Sequence, residues 1–147
     1  MRETFIAIAI ALSLAQWTST GAFGQDAKSS DALYQSFGGK PGLVKLMDSF
    51  MDGLLADPRM ARHFKTVDQE QVKAQLVDQF CELMGGPCEY TGEDMKTVHM
   101  KQTITMADFN ALVEVLQIAM DAEGIAFSDQ NQLLARLAPM HRAIVTR

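Results

Sequence analysis

"CELMGGPCEYTGEDMKTVHM", Cys81 to Met100, is the stretch on which the reading of the chain turns. It opens on the end of a helical pattern, breaks at Gly85-Gly86-Pro87 and closes on a histidine among apolar side chains. Upstream, Val72, Leu76, Phe80, Leu83 and Met84 recur at helical spacing. Asp68, with Gln71 three residues on, has the spacing of a capping box that starts this helix. Glycine takes the left-handed position after a last turn and proline cannot continue it, so the helix is expected to stop at the Gly-Gly-Pro. From Cys88 to His99 the chain has little periodicity of its own, and the break lies between the only two cysteines in 147 residues.

Earlier in the chain, Leu43, Met47, Phe50 and Leu54 form one helical row, with Val44, Met51 and Leu55 beside it. Gly38-Gly39 precede that helix. Asp57-Pro58 end it, because the residue before proline is pushed out of the α region. Later, Thr105 and Asp108 make a second capping box, with Ile104 and Phe109 placed as a hydrophobic staple. Phe109, Leu112, Val113, Leu116 and Met120 follow at helical spacing up to Gly124. Ser128 is the expected cap of a last helix carrying Leu133, Leu134, Leu137 and Ile144, bent at Pro139. No alternating apolar segment or Asn-Gly turn reads as a hairpin. The expectation is one all-α domain over residues 32–147.

Composition supports a packed domain, with 48% apolar residues and a net charge of −5. No Lys/Arg run is present, which argues against a nucleic-acid partner. At the N-terminus, Arg2 precedes an apolar run from Phe5 to Leu14, and Ala22-Phe23-Gly24 has small residues where a signal peptidase reads. The run is about half the ~20 residues a spanning helix needs. Residues 1–24 are therefore expected to be a signal peptide, and 25–31 a loose mature N-terminus. The mature chain is then exported, periplasmic or secreted, and not held in a membrane.

Export bears on the cysteines. Outside the cytosol thiols oxidise, so a Cys81–Cys88 disulfide is the simpler reading. A Cys/His metal site is the alternative, but two cysteines with no His-x-x-His partner carry only a weak zinc signal. Closing a loop of about eight residues is worth roughly 2.5 kcal/mol on the chain-entropy estimate. Of the three histidines, His63 sits in a polar connection and His141 near the C-terminus; both read as surface residues. His99 follows Val98, lies one turn after Met95 and precedes Met100 and Ile104. Its neighbours suit either a packed core histidine or a metal ligand.

Three segments then bear on function: "LYQSFGGKPGLVKLMDSFMDGLLADPRMARHF" from Leu33, "GGPCEYTGEDMKTVH" from Gly85 and "ITMADFNALV" from Ile104. In this order the chain resembles the group I truncated haemoglobins from about Ala32 to Val145. The resemblance implies a two-over-two helical sandwich around a haem, with His99 as the proximal ligand through Nε2. The other ring nitrogen of such a ligand needs an acceptor, and the Met95 carbonyl one turn back is the natural one. Phe64 matches the phenylalanine that packs on the macrocycle, and Phe80 a second aromatic wall. Met95 and Val98 are neighbouring cofactor contacts, with Lys96 in reach of a propionate.

On the distal side the chain departs from the family. Met51 stands where relatives often carry tyrosine and Leu76 where they often carry glutamine; the third position is Val72. None of the three can donate a hydrogen bond. Losing one such bond costs about 1.5–3 kcal/mol, so oxygen should leave roughly ten to a hundred times faster. Gln75 and Gln79 flank Leu76 and are expected to point off its face. The resemblance thus implies a binder of oxygen, carbon monoxide or nitric oxide at ferrous iron, served by a reductase, more than an enzyme. A nitric-oxide dioxygenase role needs a stabilised oxygen ligand, and a pseudo-peroxidase needs a distal acid or base. Three other readings are a haem-free interaction module on the same fold, an electron-transfer or sensor haem with Met51 ligating iron, and His63 swinging in as a ligand.

If residues 1–24 are removed on export, the mature protein has lost Trp17, its only tryptophan. Intact mass of the exported protein should show this truncation, and a product retaining residues 1–24 would mark the segment as an anchor.

Overall fold

The computed structural model describes residues 31–147, so the expected signal peptide and positions 25–30 lie outside the described residues. In chain order the helices are α1 (Ala32–Ser36), α2 (Gly39–Ala56), α3 (Ala61–Phe64), α4 (Gln69–Leu83), α5 (Met95–His99), α6 (Met106–Ala122) and α7 (Phe127–Leu137). A 3-10 turn, Ala138–Met140, then leads into α8 (His141–Ile144). Among the described residues there is no strand. α2 packs on both α4 and α6, and α7 and α8 return against α6, which gives the two-over-two sandwich.

The α2 row is buried as its spacing predicts, at Leu43, Met47, Phe50 and Leu54, and Leu46 joins it. Val44, expected beside the row, is exposed. Met60, Met84, Leu116, Met120 and Leu133 complete the fully buried centre. Each such side chain contributes about 1.5–3 kcal/mol on burial, so the centre, not intrinsic helix propensity, holds the layers together.

α4 begins at Asp68, whose carboxylate accepts from the Gln71 N–H at 3.1 Å. It ends as expected. Gly85 has φ 79°, a left-handed value that suits glycine, and the Gly86 N–H returns to the Cys81 carbonyl at 2.8 Å. At Gly86 a Cβ would lie 2.6 Å from Cys81 Sγ and 2.7 Å from the Tyr34 ring, so no larger residue fits. Cys81 and Cys88 are joined by a disulfide across this turn. The bridge uses both thiols and replaces the alternative of a Cys/His metal site.

α6 carries the expected capping box. The Thr105 hydroxyl accepts from the Asp108 N–H, and Asp108 accepts from the Thr105 N–H at 2.9 Å. Ser128 does not cap the last helix. α7 starts at Phe127 with Ala126 before it, and no side chain caps it. The start is set by the preceding turn. The buried Gln130 amide donates to the Ile125 carbonyl at 2.9 Å and to Asp121 at 2.7 Å, holding that turn two residues earlier than a Ser128 cap would. The bend at Pro139 is present as the 3-10 turn. Beyond α8, Thr146 accepts from the Ile104 N–H through its hydroxyl at 2.9 Å and donates its own N–H to the Ile104 carbonyl at 2.9 Å. The tail thereby pins the connection between α5 and α6.

Asp108 couples this architecture to pH. The Thr105 backbone N–H, then the Thr105 hydroxyl, and then Arg62 hold its carboxyl down to about 2. A lowered folded-state pKa stabilises the fold above the ordinary carboxyl value of about 3.8, and that contribution fades as pH falls toward 2. Urea unfolding between pH 5 and 2 should therefore show a steep acid limb that Asp108→Asn flattens.

Candidate functional site

α5 is five residues long and none of them is buried, so packing on its own surface does not hold it in place. Its first turn is capped by Asp94, which accepts from the Thr97 N–H at 3.1 Å and the Thr97 hydroxyl at 2.6 Å. Its other side rests on α8. At its end, His99 Nδ1 lies 2.7 Å from the Met95 carbonyl oxygen. A carbonyl only accepts, so Nδ1 carries the proton, and in the neutral ring the lone pair is on Nε2.

His99 lies on the wall of a cavity of about 270 Å³. α4 contributes Val72, Gln75, Leu76, Gln79 and Phe80, α5 contributes Met95 and Val98, and α3 contributes His63 and Phe64. Phe109, Leu112 and Leu116 of α6 and Met140 at the C-terminal end add apolar wall. The lining is predominantly apolar, as a site for a large flat hydrophobic group requires.

The expected site residues are thus brought to one cavity in seven cases: His99, Phe64, Phe80, Met95, Val98, Val72 and Leu76. Two are placed elsewhere. Met51 is buried in α2 but is not part of the lining; its neighbour Phe50 is. One residue is about 100° of helix rotation, enough to carry a side chain from a cavity wall into the packing behind it. Lys96 is exposed and also outside the lining, because it follows Met95 by one residue and so turns away from the face that Met95 and His99 share.

Three polar residues enter the wall against expectation. Gln75 and Gln79 do not point off the Leu76 face. Positions 72, 75, 76, 79 and 80 form one helical stripe at i, i+3, i+4, i+7 and i+8, and the cavity spans its full width. Counting the stripe by threes as well as fours would have found both glutamines. Gln79 is 7% exposed, and its amide nitrogen has only thioether partners, Met95 Sδ at 3.6 Å and Met140 Sδ at 3.9 Å. Thioethers are weak acceptors, so this buried amide is poorly paired. His63, expected at the surface, has a side chain only 16% exposed. Its Nε2 accepts from Arg62 Nε at 3.1 Å and lies 3.7 Å from Asp108. Tyr90 also lines the cavity and donates to the Glu93 carbonyl at 2.9 Å. Burial, then the nearby Glu93 and Asp94 carboxylates, push its phenol pKa up, so it stays a donor.

The family model for bacterial-like globins matches residues 32–146. The chain is 30% identical to a group 1 truncated haemoglobin of Mycolicibacterium paratuberculosis over 115 residues, covering 78% of this chain and 85% of that one. It is 26% identical to a group 1 truncated haemoglobin of a Nostoc species, covering 78% of this chain and 98% of that one. Among solved structures, a truncated haemoglobin of Tetrahymena pyriformis in its Fe(III) form superposes with a TM-score of 0.74 at 23% identity, over 78% of this chain and 98% of that one.

Replacing Gln79 with methionine exchanges the poorly paired amide for an apolar chain of similar length. The urea midpoint should hold or rise, because an amide with weak partners recovers little of its desolvation cost. A fall of more than about 1 kcal/mol in unfolding free energy would show that the amide has a stronger partner than the two sulfurs.

Proposed function

The chain belongs to the bacterial-like globin family, and from that premise we propose that it holds a haem through His99 and binds a diatomic gas at ferrous iron. The observation that carries the proposal is the His99–Met95 bond, which leaves a free Nε2 lone pair at the wall of an apolar cavity. A neutral imidazole oriented through its second nitrogen is a good iron ligand. The fit extends to the walls, where Phe64 and Phe80 offer aromatic surface to a flat macrocycle. When bound, haem would supply an iron able to take a diatomic gas. His99 would hold that iron, and the apolar side chains of the cavity would exclude water. A haem-free module would have no need of the oriented His99.

Val72 and Leu76, the two distal positions that do line the cavity, cannot donate a hydrogen bond. A donor to bound oxygen would have to come from Gln75, Gln79 or His63, which line the same cavity, whereas carbon monoxide and nitric oxide depend less on one. Thioether ligation by Met51 has no support from its position behind the wall. Export to the periplasm or beyond fits both the N-terminal pattern and the disulfide, since disulfides persist in oxidising compartments.

Haemin titration should give a Soret band that is lost in His99→Ala. In the ferrous protein, Leu76→Gln should slow oxygen dissociation roughly tenfold to a hundredfold by adding one donor. Stopped-flow measurement checks this. A wild type that already releases oxygen slowly, with no change in the variant, would mean that Gln75, Gln79 or His63 reaches the ligand.

A further inference from the structure

Pro87 to Glu93 joins the turn after α4 to the cap of α5, and little ties this segment to the rest of the fold. Among the described residues its only hydrogen bond is internal, from the Tyr90 hydroxyl to the Glu93 carbonyl at 2.9 Å. One covalent bond anchors it, the disulfide from Cys88 to Cys81, whose Cα atoms lie 5.7 Å apart. Cys81 is fully buried in the core. We propose that this disulfide is a redox-operated lock on the haem: closed, it holds the segment and α5 against the cavity, and opened by a dithiol it lets the haem go. The proposal rests on the haem reading and adds a control to that same site.

Two parts of the cavity hang on the segment. Tyr90, in its middle, lines the cavity. Asp94, directly after it, caps α5 through the Thr97 N–H at 3.1 Å and the Thr97 hydroxyl at 2.6 Å. α5 buries none of its five residues, so its place is set from its surroundings. Behind it, α8 and the bond between Thr146 and Ile104 hold it. In front, the disulfide is the last firm point before Asp94. The turn after α4 does not need the bridge, because the Gly86 N–H bonds the Cys81 carbonyl at 2.8 Å. Opening the bridge restores conformational freedom to the loop it closed, and that freedom starts beyond the turn. The His99–Met95 bond lies within α5 and survives, so the imidazole is displaced together with its helix while the core formed by α2, α4 and α6 stays packed.

The two sulfurs are unequal. Cys88 is partly exposed, whereas Cys81 is fully buried. Thiol–disulfide exchange starts with a thiolate attacking an accessible sulfur, here that of Cys88. A bond forms between the reductant and Cys88 Sγ, the Cys81–Cys88 bond breaks, and Cys81 leaves as a thiolate that takes a proton. The second thiol of the reductant then displaces Cys88 as a thiol, and the reductant closes into a cyclic disulfide. Two electrons and two protons pass from the dithiol to the bridge. Burial disfavours the charged form of the departing Cys81, so the lock opens slowly and yields to a dithiol sooner than to a monothiol, whose mixed disulfide the Cys81 thiol can reverse.

The test loads the full chain with haemin and follows its transfer to an excess of a haem-scavenging protein at the Soret band. Protein reduced with dithiothreitol and kept anaerobic should release haemin about tenfold faster or more than oxidised protein. Cys88→Ala keeps the Cys81 side chain in the core, and it should release haemin at the reduced rate with and without dithiothreitol. Hydrogen exchange of the haem-free chain gives a readout that does not depend on the cofactor. Opening the bridge should speed exchange of the α5 amides while those of α2 and α6 hold. The proposal is overturned if oxidised and reduced protein release haemin alike, if Cys88→Ala still responds to dithiothreitol, or if protection falls equally through α2 and α6. A chain that forms no Soret complex in either redox form overturns the haem reading itself, and this proposal with it.

Discussion

The bond from His99 Nδ1 to the Met95 carbonyl, at 2.7 Å, orients the side chain on which the chemistry of the cavity turns. It is local, four residues back along a single turn, and so it needs only that α5 exist. α5 is nevertheless too short and too exposed to exist alone: isolated helices shorter than about 12 residues are marginal in water, and α5 buries no residue. Its order comes from what surrounds it. Asp94 caps its start, α8 packs along it, and Thr146 ties down the connection that follows. The disulfide and the Gly85-Gly86 turn fix the loop that leads into it. A weak segment made rigid by its surroundings can approach a flat ligand closely and still present one nitrogen in one direction.

The α4 wall is organised by a different rule. One stripe of a helix serves two neighbours: Phe80 with Val77 and Met84 belongs to the core cluster, while Val72, Gln75, Leu76, Gln79 and Phe80 face the cavity. A globular core tolerates no poorly paired amide, because burying one without a good partner costs about 1–3 kcal/mol. A cavity wall tolerates it when the space beyond is meant to be filled. The placement of Gln79, nearly buried and paired only with sulfur, is therefore easier to understand in a ligand site than in a core.

How much of this was legible follows the physics of each signal. α2, α4 and α6 could be read from apolar periodicity, and the starts of α4 and α6 from Asp68 and the Thr105–Asp108 box, because those bonds are made within four residues. The Met95 acceptor for His99 was legible for the same reason. Ser128 misled because the start of α7 is set by Gln130 reaching back to Asp121 and Ile125, a contact that capping rules do not contain. Met51 differs from its neighbour because a family position names a residue but not where its side chain lands, and here Phe50 is the α2 residue in the cavity lining. His63 and Gln79 were missed because a polar residue in an otherwise polar or mixed segment looks solvated until the tertiary fold closes over it. The ion pair of Arg62 with Asp108 spans 46 residues, and no local pattern announces it.

That long-range pair also explains why the cavity has two unlike ends. α3 arrives beside the start of α6 because Arg62 meets Asp108, and Asp108 is in place because it completes the α6 capping box. The same contact draws His63 inward and leaves the remaining Arg62 donors at the cavity mouth. Farther along α4, the Gln79 amide lies against the thioethers of Met95 and Met140. The apolar walls, the oriented imidazole of His99 and the polar side chains of α3 are thus each set by a different part of the fold, and they meet at one cavity because those parts pack together.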